Sequence, residues 1–356
     1  APASPRRERR PGLAGPPARD WLESRLLERF LRYVRIDTTS NRHSDTEPTT
    51  PGQMELARLL AAELEGLGLQ QVDLDPKGFL FARLPANLPK DAAPEIGFIA
   101  HLDTSDAAPG RDIAPQVHRH YDGEAIRLEG GLVLDPAEYP ELLRYRGETV
   151  ITSDGRTLLG ADDKAGLAEI VTAAEYLLAH PEIPHGRVSL CFTTDEEQGL
   201  SMQRIPMAKI GARYCYTFDG DVEGTIETEC FEGHKATVRF RGKAMHTGEA
   251  RGKLINALEM ASRFVCLLPG AESPQATDGR YGFYFPQEIS GTIEQAVVSI
   301  LLRDFELREV ERRIEALRRM ALAIEAAFPG GISEVSAAKE YANMRRFLEG
   351  APEVVG

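Results

Sequence analysis

The feature that most constrains this chain is an alternation of strand-like, loop and helix-like segments in which acidic or histidine residues repeatedly fall just past an apolar run. EIGFIA has the length of a buried strand and delivers His101, Leu102 and Asp103 at its C-terminal end. TLLGADDKAGLAEIVTAAEYLLAH passes a turn at Asp162 and Asp163, then continues as a helix from near Lys164. RVSLCFTTDEEQG runs from strand into Asp195, Glu196 and Glu197, and ARYCYTFDGD runs into Asp219 and Asp221. This patterning predicts an α/β fold, a mixed sheet flanked by helices. In an open sheet of that kind ligands bind beyond the carboxyl ends of the strands.

Upstream, Leu22, Leu26, Leu27, Phe30, Leu31 and Val34 recur at helical spacing, with Asp20 placed as an N-cap. A second amphipathic helix is expected from about Met54 to Leu67, followed by two short strands in QQVDLD and GFLFARL. The texture changes after Gly224. TIETECFEGHKATVRFRGKAMHTG reads as alternating strands and KLINALEMASRFVCLLP as a helix. GTIEQAVVSILLRDFE reads as another strand pair and LREVERRIEALRRMALAIEAAF as a long charged helix. The expected organisation is a disordered Pro/Arg-rich extension over 1–20, a catalytic segment over 21–228, an inserted smaller α+β lid or dimerisation domain over 229–340, and the start of a return to the first domain over 341–356.

Composition narrows the function. At 356 residues the chain is too long for one ordinary core. Its net charge of −13 argues against a nucleic-acid surface and against docking on an acidic membrane. No apolar run approaches the roughly 20 residues needed to cross a bilayer. The extension has no apolar stretch of the secretory kind. The four cysteines show no C-x-x-C spacing, and Cys191, Cys215 and Cys266 lie in apolar runs. They read as buried reduced thiols, which favours a reducing, cytoplasmic setting.

His101, Asp162, Glu197 and Asp219 offer the nitrogen and oxygen ligands that Zn²⁺ takes. A two-metal site also needs a bridging carboxylate and a base near the attacking water. Taken singly, an acidic turn is a solvated loop or helix cap, and His101 is a hydrogen-bonded core histidine. The ordered set, each member past a strand end, favours the metal reading. His118 and His120, two apart in QVHRHYDG, are read as structural.

AHLDTS, LLGADDKAG, TTDEEQG and FDGD, in this order and spacing, resemble the zinc metallopeptidases of the carboxypeptidase G2 and aminoacylase group (M20). Within it they are most similar to the peptidase T family of tripeptide aminopeptidases. LLERFLRYVRIDTTS, ESPQATDGRYGFY and RDFE extend the likeness along the chain. The resemblance implies two zinc ions and a small peptide substrate, with homodimerisation through the inserted domain a further expectation. His101 would bind one ion and Glu197 the other, Asp162 would bridge them, and Asp219 would complete the first. Asp103 would orient His101, and Glu196 would carry the proton from water to the leaving amine. His246 would reach the oxyanion and Arg303 the substrate carboxylate.

The chain departs from the family in two places. Thr247 stands where proline is usual, and no histidine follows His246 before Gly356. The family's closing segment carries a glycine-rich loop and the last ligand of the second metal. The expectation is therefore an incomplete second zinc site, with a weakly held second ion and low activity. The competing readings are another amidohydrolase of the group (a dipeptidase, carboxypeptidase or N-acyl amino acid deacylase) and a truncated, inactive remnant.

Overall fold

The structure is a computed structural model that describes residues 19–89, 92–220 and 224–354. The expected extension lies outside the described residues, apart from its last two. Those open the first helix, so Asp20 sits inside its first turn and not at the cap. The chain divides into two compact units, residues 1–221 and 222–356.

The first unit holds helices α1 (Arg19–Tyr33) and α2 (Pro51–Leu67) and strands β1 (Gln70–Leu74), β2 (Leu80–Leu84) and β3 (Ile96–His101). Four short strands follow in two pairs. β4 (Gln116–His118) pairs with β7 (Val150–Thr152), and β5 (Ile126–Arg127) with β6 (Val133–Leu134). Then come α3 (Ala161–Ala179), β8 (Val188–Thr193), the single turn α4 (Ser201–Arg204) and β9 (Tyr214–Thr217). The main sheet has the order β1-β2-β8-β3-β9. β3 is parallel to both β8 and β9, while β1, β2 and β8 pair antiparallel. The sheet is therefore mixed, and the carboxyl ends of β3, β8 and β9 share one edge.

Every residue of β8 is buried, which is why its sequence is a continuous run instead of an alternation. Leu56, Leu60 and Leu64 of α2 and Leu167, Ile170 and Val171 of α3 pack into the same core as Leu80, Leu190 and Phe192. The apolar stripe expected on α1 is only half covered. Arg29 takes the buried place beside Phe30, bonded to Glu63 (2.8 Å), Glu175 (2.6 Å) and Thr172 (3.0 Å). That network joins α1 to α2 and α3.

The second unit contains β10 (Glu232–Arg241), α5 (Ala257–Cys266), β11 (Phe283–Gly291), β12 (Gln295–Asp304), α6 (Leu307–Ala327), β13 (Ile332–Tyr341) and the short α7 (Arg345–Leu348). Its four strands are antiparallel in the order β11-β12-β10-β13. Val238, Phe240, Val298, Ile300 and Leu302 project from one face onto Met260 and Phe264 of α5 and Val310 and Leu317 of α6. Asn343 ties the following segment to this unit through Glu232 and Phe305.

Three local expectations change. The TIETECFEGHKATVRFRGKAMHTG segment gives one long strand, Glu232–Arg241, instead of several, and β12 is likewise one strand whose partner β11 lies upstream. β13 escapes the pattern because ISEVSAAKEY is an edge strand with most side chains in solvent, so no apolar alternation marks it. Cys266 is exposed, because the buried face of α5 is made by Ala257, Met260, Ala261 and Phe264. No described helix is long and apolar enough to cross a membrane.

Candidate metal centre

Three parallel strands and one helix start bring the predicted residues of the first unit together. β3 ends at His101, which lies opposite Thr193 at the end of β8. The ladder continues beyond both strands, since the Leu102 amide donates to the Thr193 carbonyl (2.8 Å) and the Phe218 amide to that of Ile99 (2.8 Å). Glu196 and Glu197 therefore follow β8, and Asp219 follows β9, on the edge where His101 sits. Asp162 enters from the non-helical first turn of α3. Gly166 permits the close approach, because a Cβ there would meet the Phe218 carbonyl oxygen at 2.1 Å and Asp163 Oδ1 at 2.3 Å.

His101 is buried, and its Nε2 lies 2.8 Å from Asp162 Oδ1 and 3.8 Å from Asp219 Oδ1. On the other side of the ring, Nδ1 has no hydrogen-bond partner, and Asp103 Oδ1 is 3.4 Å away. That is a contact between charges, longer than an ordinary hydrogen bond. The fully buried Asp103 has a second task. Its two carboxylate oxygens accept the backbone N–H groups of Glu196 (3.0 Å) and Glu197 (3.1 Å). One carboxylate thus fixes both the histidine side of the cluster and the glutamate turn.

The electrostatics are those of a cluster short of positive charge. Burial opposes the charge on His101, but the carboxylates of Asp103 and Asp162 overcome it and hold the imidazole up at about 11. Burial, reinforced by neighbouring acids, pushes Glu197 up to about 7 and Asp219 to about 6. It also raises Glu196, although one side of that residue is open to solvent. Asp162 is held below the usual carboxylate range by His101. Two trios of ligand atoms, His101 with Glu196 and Asp219, and His101 with Asp162 and Glu197, each lie within 4.8 Å of one another. An imidazole nitrogen facing several carboxylates whose charges are unmet is a donor set that suits a divalent cation of the zinc class.

Several residues of these segments take supporting roles that the sequence pattern does not reveal. Asp163, pushed up to about 8 by burial, accepts the amides of His101 (3.0 Å) and Gly166 (3.2 Å). Lys164 is buried, lowered to about 8 by that burial, and donates to the Ile36 carbonyl at 2.7 Å. Asp195 accepts from Thr49 Oγ1 (2.5 Å), Gln53 Nε2 (2.7 Å) and Arg204 (3.2 Å), anchoring the turn that carries the glutamates. Its position beside the glutamate pair was the only hint. His118 bonds Thr152 at 3.0 Å and joins no metal-type cluster among the described residues. His246 and Arg303 lie in the second unit. His246 is exposed, and its Nδ1 caps the turn after it by accepting from the Gly248 amide (3.2 Å).

A peptidase T from a Geobacillus species is 43% identical over 336 residues, 94% of this chain and 82% of that protein. The chain belongs to the peptidase T family. A peptidase T from Listeria welshimeri is 44% identical over the same share of each chain. Residues 232–329 match the family model described as a peptidase dimerisation domain. The fold is similar to that of the aminopeptidase PepT from Bacillus cereus, with a TM-score of 0.66 at 23% identity over 94% of this chain and 82% of the other. Peptidase T membership makes this a metallopeptidase of the aminopeptidase type, built on a mixed α/β fold.

Proposed function

We propose that this protein removes the N-terminal residue from tripeptides, with zinc held by His101, Asp162, Asp219 and Glu197 and with Glu196 as the proton carrier. The convergence of one buried imidazole with under-compensated carboxylates at the ends of three parallel strands carries this reading. Within it, His101 and Asp219 would hold one ion, Glu197 would hold the other, and Asp162 would be available to both. When bound, the metal supplies Lewis acidity that polarises the scissile carbonyl and eases deprotonation of water.

The chain's own groups do the rest. Glu196, raised above the ordinary carboxylate range, is suited to take a proton from the attacking water and return it to the leaving amine. Asp103 holds the backbone of that glutamate in place and keeps Nδ1 of His101 facing a carboxylate, which leaves Nε2 for the metal. His246 is assigned to the developing oxyanion. Arg303 is assigned to the peptide's terminal carboxylate, for which the guanidinium fork is suited. The unit matched by the dimerisation model is the proposed route to a homodimer, which sedimentation tests directly. The cytoplasm is the proposed setting.

The decisive experiment is turnover of a tripeptide panel by the zinc-loaded protein, with free and blocked N-termini, alongside Glu196→Gln. Cleavage restricted to N-blocked peptides rejects the aminopeptidase reading. Loss of metal in Glu196→Gln makes that residue a ligand, which one of the two observed trios would allow, and removes it from the proton-carrying role.

A further inference from the structure

At one end of the second unit's sheet a row of residues crosses all four strands. Phe283 of β11 pairs with Arg303 of β12, Arg303 with Gly233 of β10, and Gly233 with Tyr341 of β13. Gly233 shapes this row. A Cβ there would stand 2.6 Å from the Tyr341 ring, so only glycine lets that ring lie across β10. The guanidinium carbon of Arg303 sits 5.1 Å from the ring centroid. Its Nη1 is committed to the carbonyls of His234 (3.2 Å) and Leu302 (3.0 Å). Its Nη2 donates to Glu340 Oε2 at 2.8 Å. The Arg303 side chain is 12% exposed and that of Glu340 34%. The cation is fixed from behind by backbone and ring, and its remaining face is taken by a carboxylate from the edge strand.

We propose that Glu340 is a resident stand-in for the substrate's carboxylate: it occupies Arg303 between turnovers, leaves when a peptide binds, and thereby sets the selectivity for a free over a blocked C-terminus. This rests on the reading of Arg303 as the group that takes the peptide's carboxylate. With Nη1 spent on carbonyls, a substrate carboxylate and Glu340 compete for the same N–H groups, and two carboxylates at one fork repel. Glu340 sits on an edge strand and is partly open to water, so its side chain has somewhere to go. Tyr341 is a positioning residue that keeps the guanidinium presented whichever carboxylate holds it.

The test compares kcat and KM for one tripeptide and its C-terminal amide in wild type, Glu340→Gln, Arg303→Gln, Tyr341→Phe and Tyr341→Leu. Releasing a partly exposed ion pair is expected to raise the acid-to-amide preference about two- to fivefold in Glu340→Gln, through KM for the free acid with kcat unchanged. Tyr341→Phe is expected to keep the wild-type preference and Tyr341→Leu to lower it. A preference that is unchanged or reduced in Glu340→Gln, while Arg303→Gln abolishes it, overturns the proposal. A preference that survives Arg303→Gln sinks the carboxylate reading of Arg303 itself, and the stand-in role falls with it.

Discussion

The candidate metal centre of the first unit and the core of the second bury charge in opposite ways, although Arg29 shows that the first unit also holds a matched pair. In the second, the buried Arg313 is matched by carboxylates. Arg313 meets Asp304 at 2.5 Å and Glu272 at 2.9 Å, and Glu232 is held below the usual range because the Asn343 amide and Lys339 outweigh its burial. At the metal centre Asp103, Asp162, Asp163, Glu196, Glu197 and Asp219 crowd one imidazole, and burial makes Asp163, Glu196, Glu197 and Asp219 hold their protons more tightly than ordinary carboxylates. A matched pair stabilises its own unit and asks for nothing. A cluster with unmet negative charge asks for a cation from outside, and perturbed carboxylates of this kind mark reaction sites.

The difference can be broken at several points. Glu196→Gln should lower kcat by about 10²–10⁴-fold with metal content unchanged, read by steady-state kinetics and metal analysis. Arg313→Ala leaves the buried Asp304 unpaired and should cost the fold about 3–5 kcal/mol in urea unfolding, without changing the metal bound per native chain. If that substitution also stripped the metal, the separation of matched from unmatched charge would fail. Asp103→Asn should weaken metal binding or turnover by about 10–100-fold, measured by competition with a chelator.

The smallest effect is a pH slope. Glu197 (about 7) and Asp219 (about 6) bind protons more tightly in the folded chain than in the unfolded one. Metal-stripped protein should therefore lose stability as pH rises from the ordinary carboxylate range towards 7. Asp162, held low by His101, opposes this only at the acid end. Thermal melts at stepped pH should show the slope without metal and lose it when zinc is restored. A flat profile in the stripped protein would mean that the acids are already matched.

Much of the site was legible because its residues sit where local pattern and topology agree. His101 ends an apolar run, and so does the Asp195–Glu197 turn, so the strand signal also locates the chemistry. Arg29 was not legible as a core residue, since its burial depends on Glu63 and Glu175 from two other helices. β13 was hidden by its polar edge character, and Glu340 and Tyr341 were hidden with it. The grip of Gln53 and Thr49 on Asp195 joins positions 142 and 146 residues apart, which no periodicity reports.

The Asp103 carboxylate, shared between the neighbourhood of His101 and the amides of Glu196 and Glu197, makes strand register a dimensional tolerance for the enzyme. A slip of β8 along β3 by one residue would displace the glutamates by about 3.3 Å and turn their side chains to the opposite face of the sheet. The spacing between metal ligand and proton carrier is thus gauged by ordinary backbone pairing, which ends at His101 and at Thr193, three residues before Glu196.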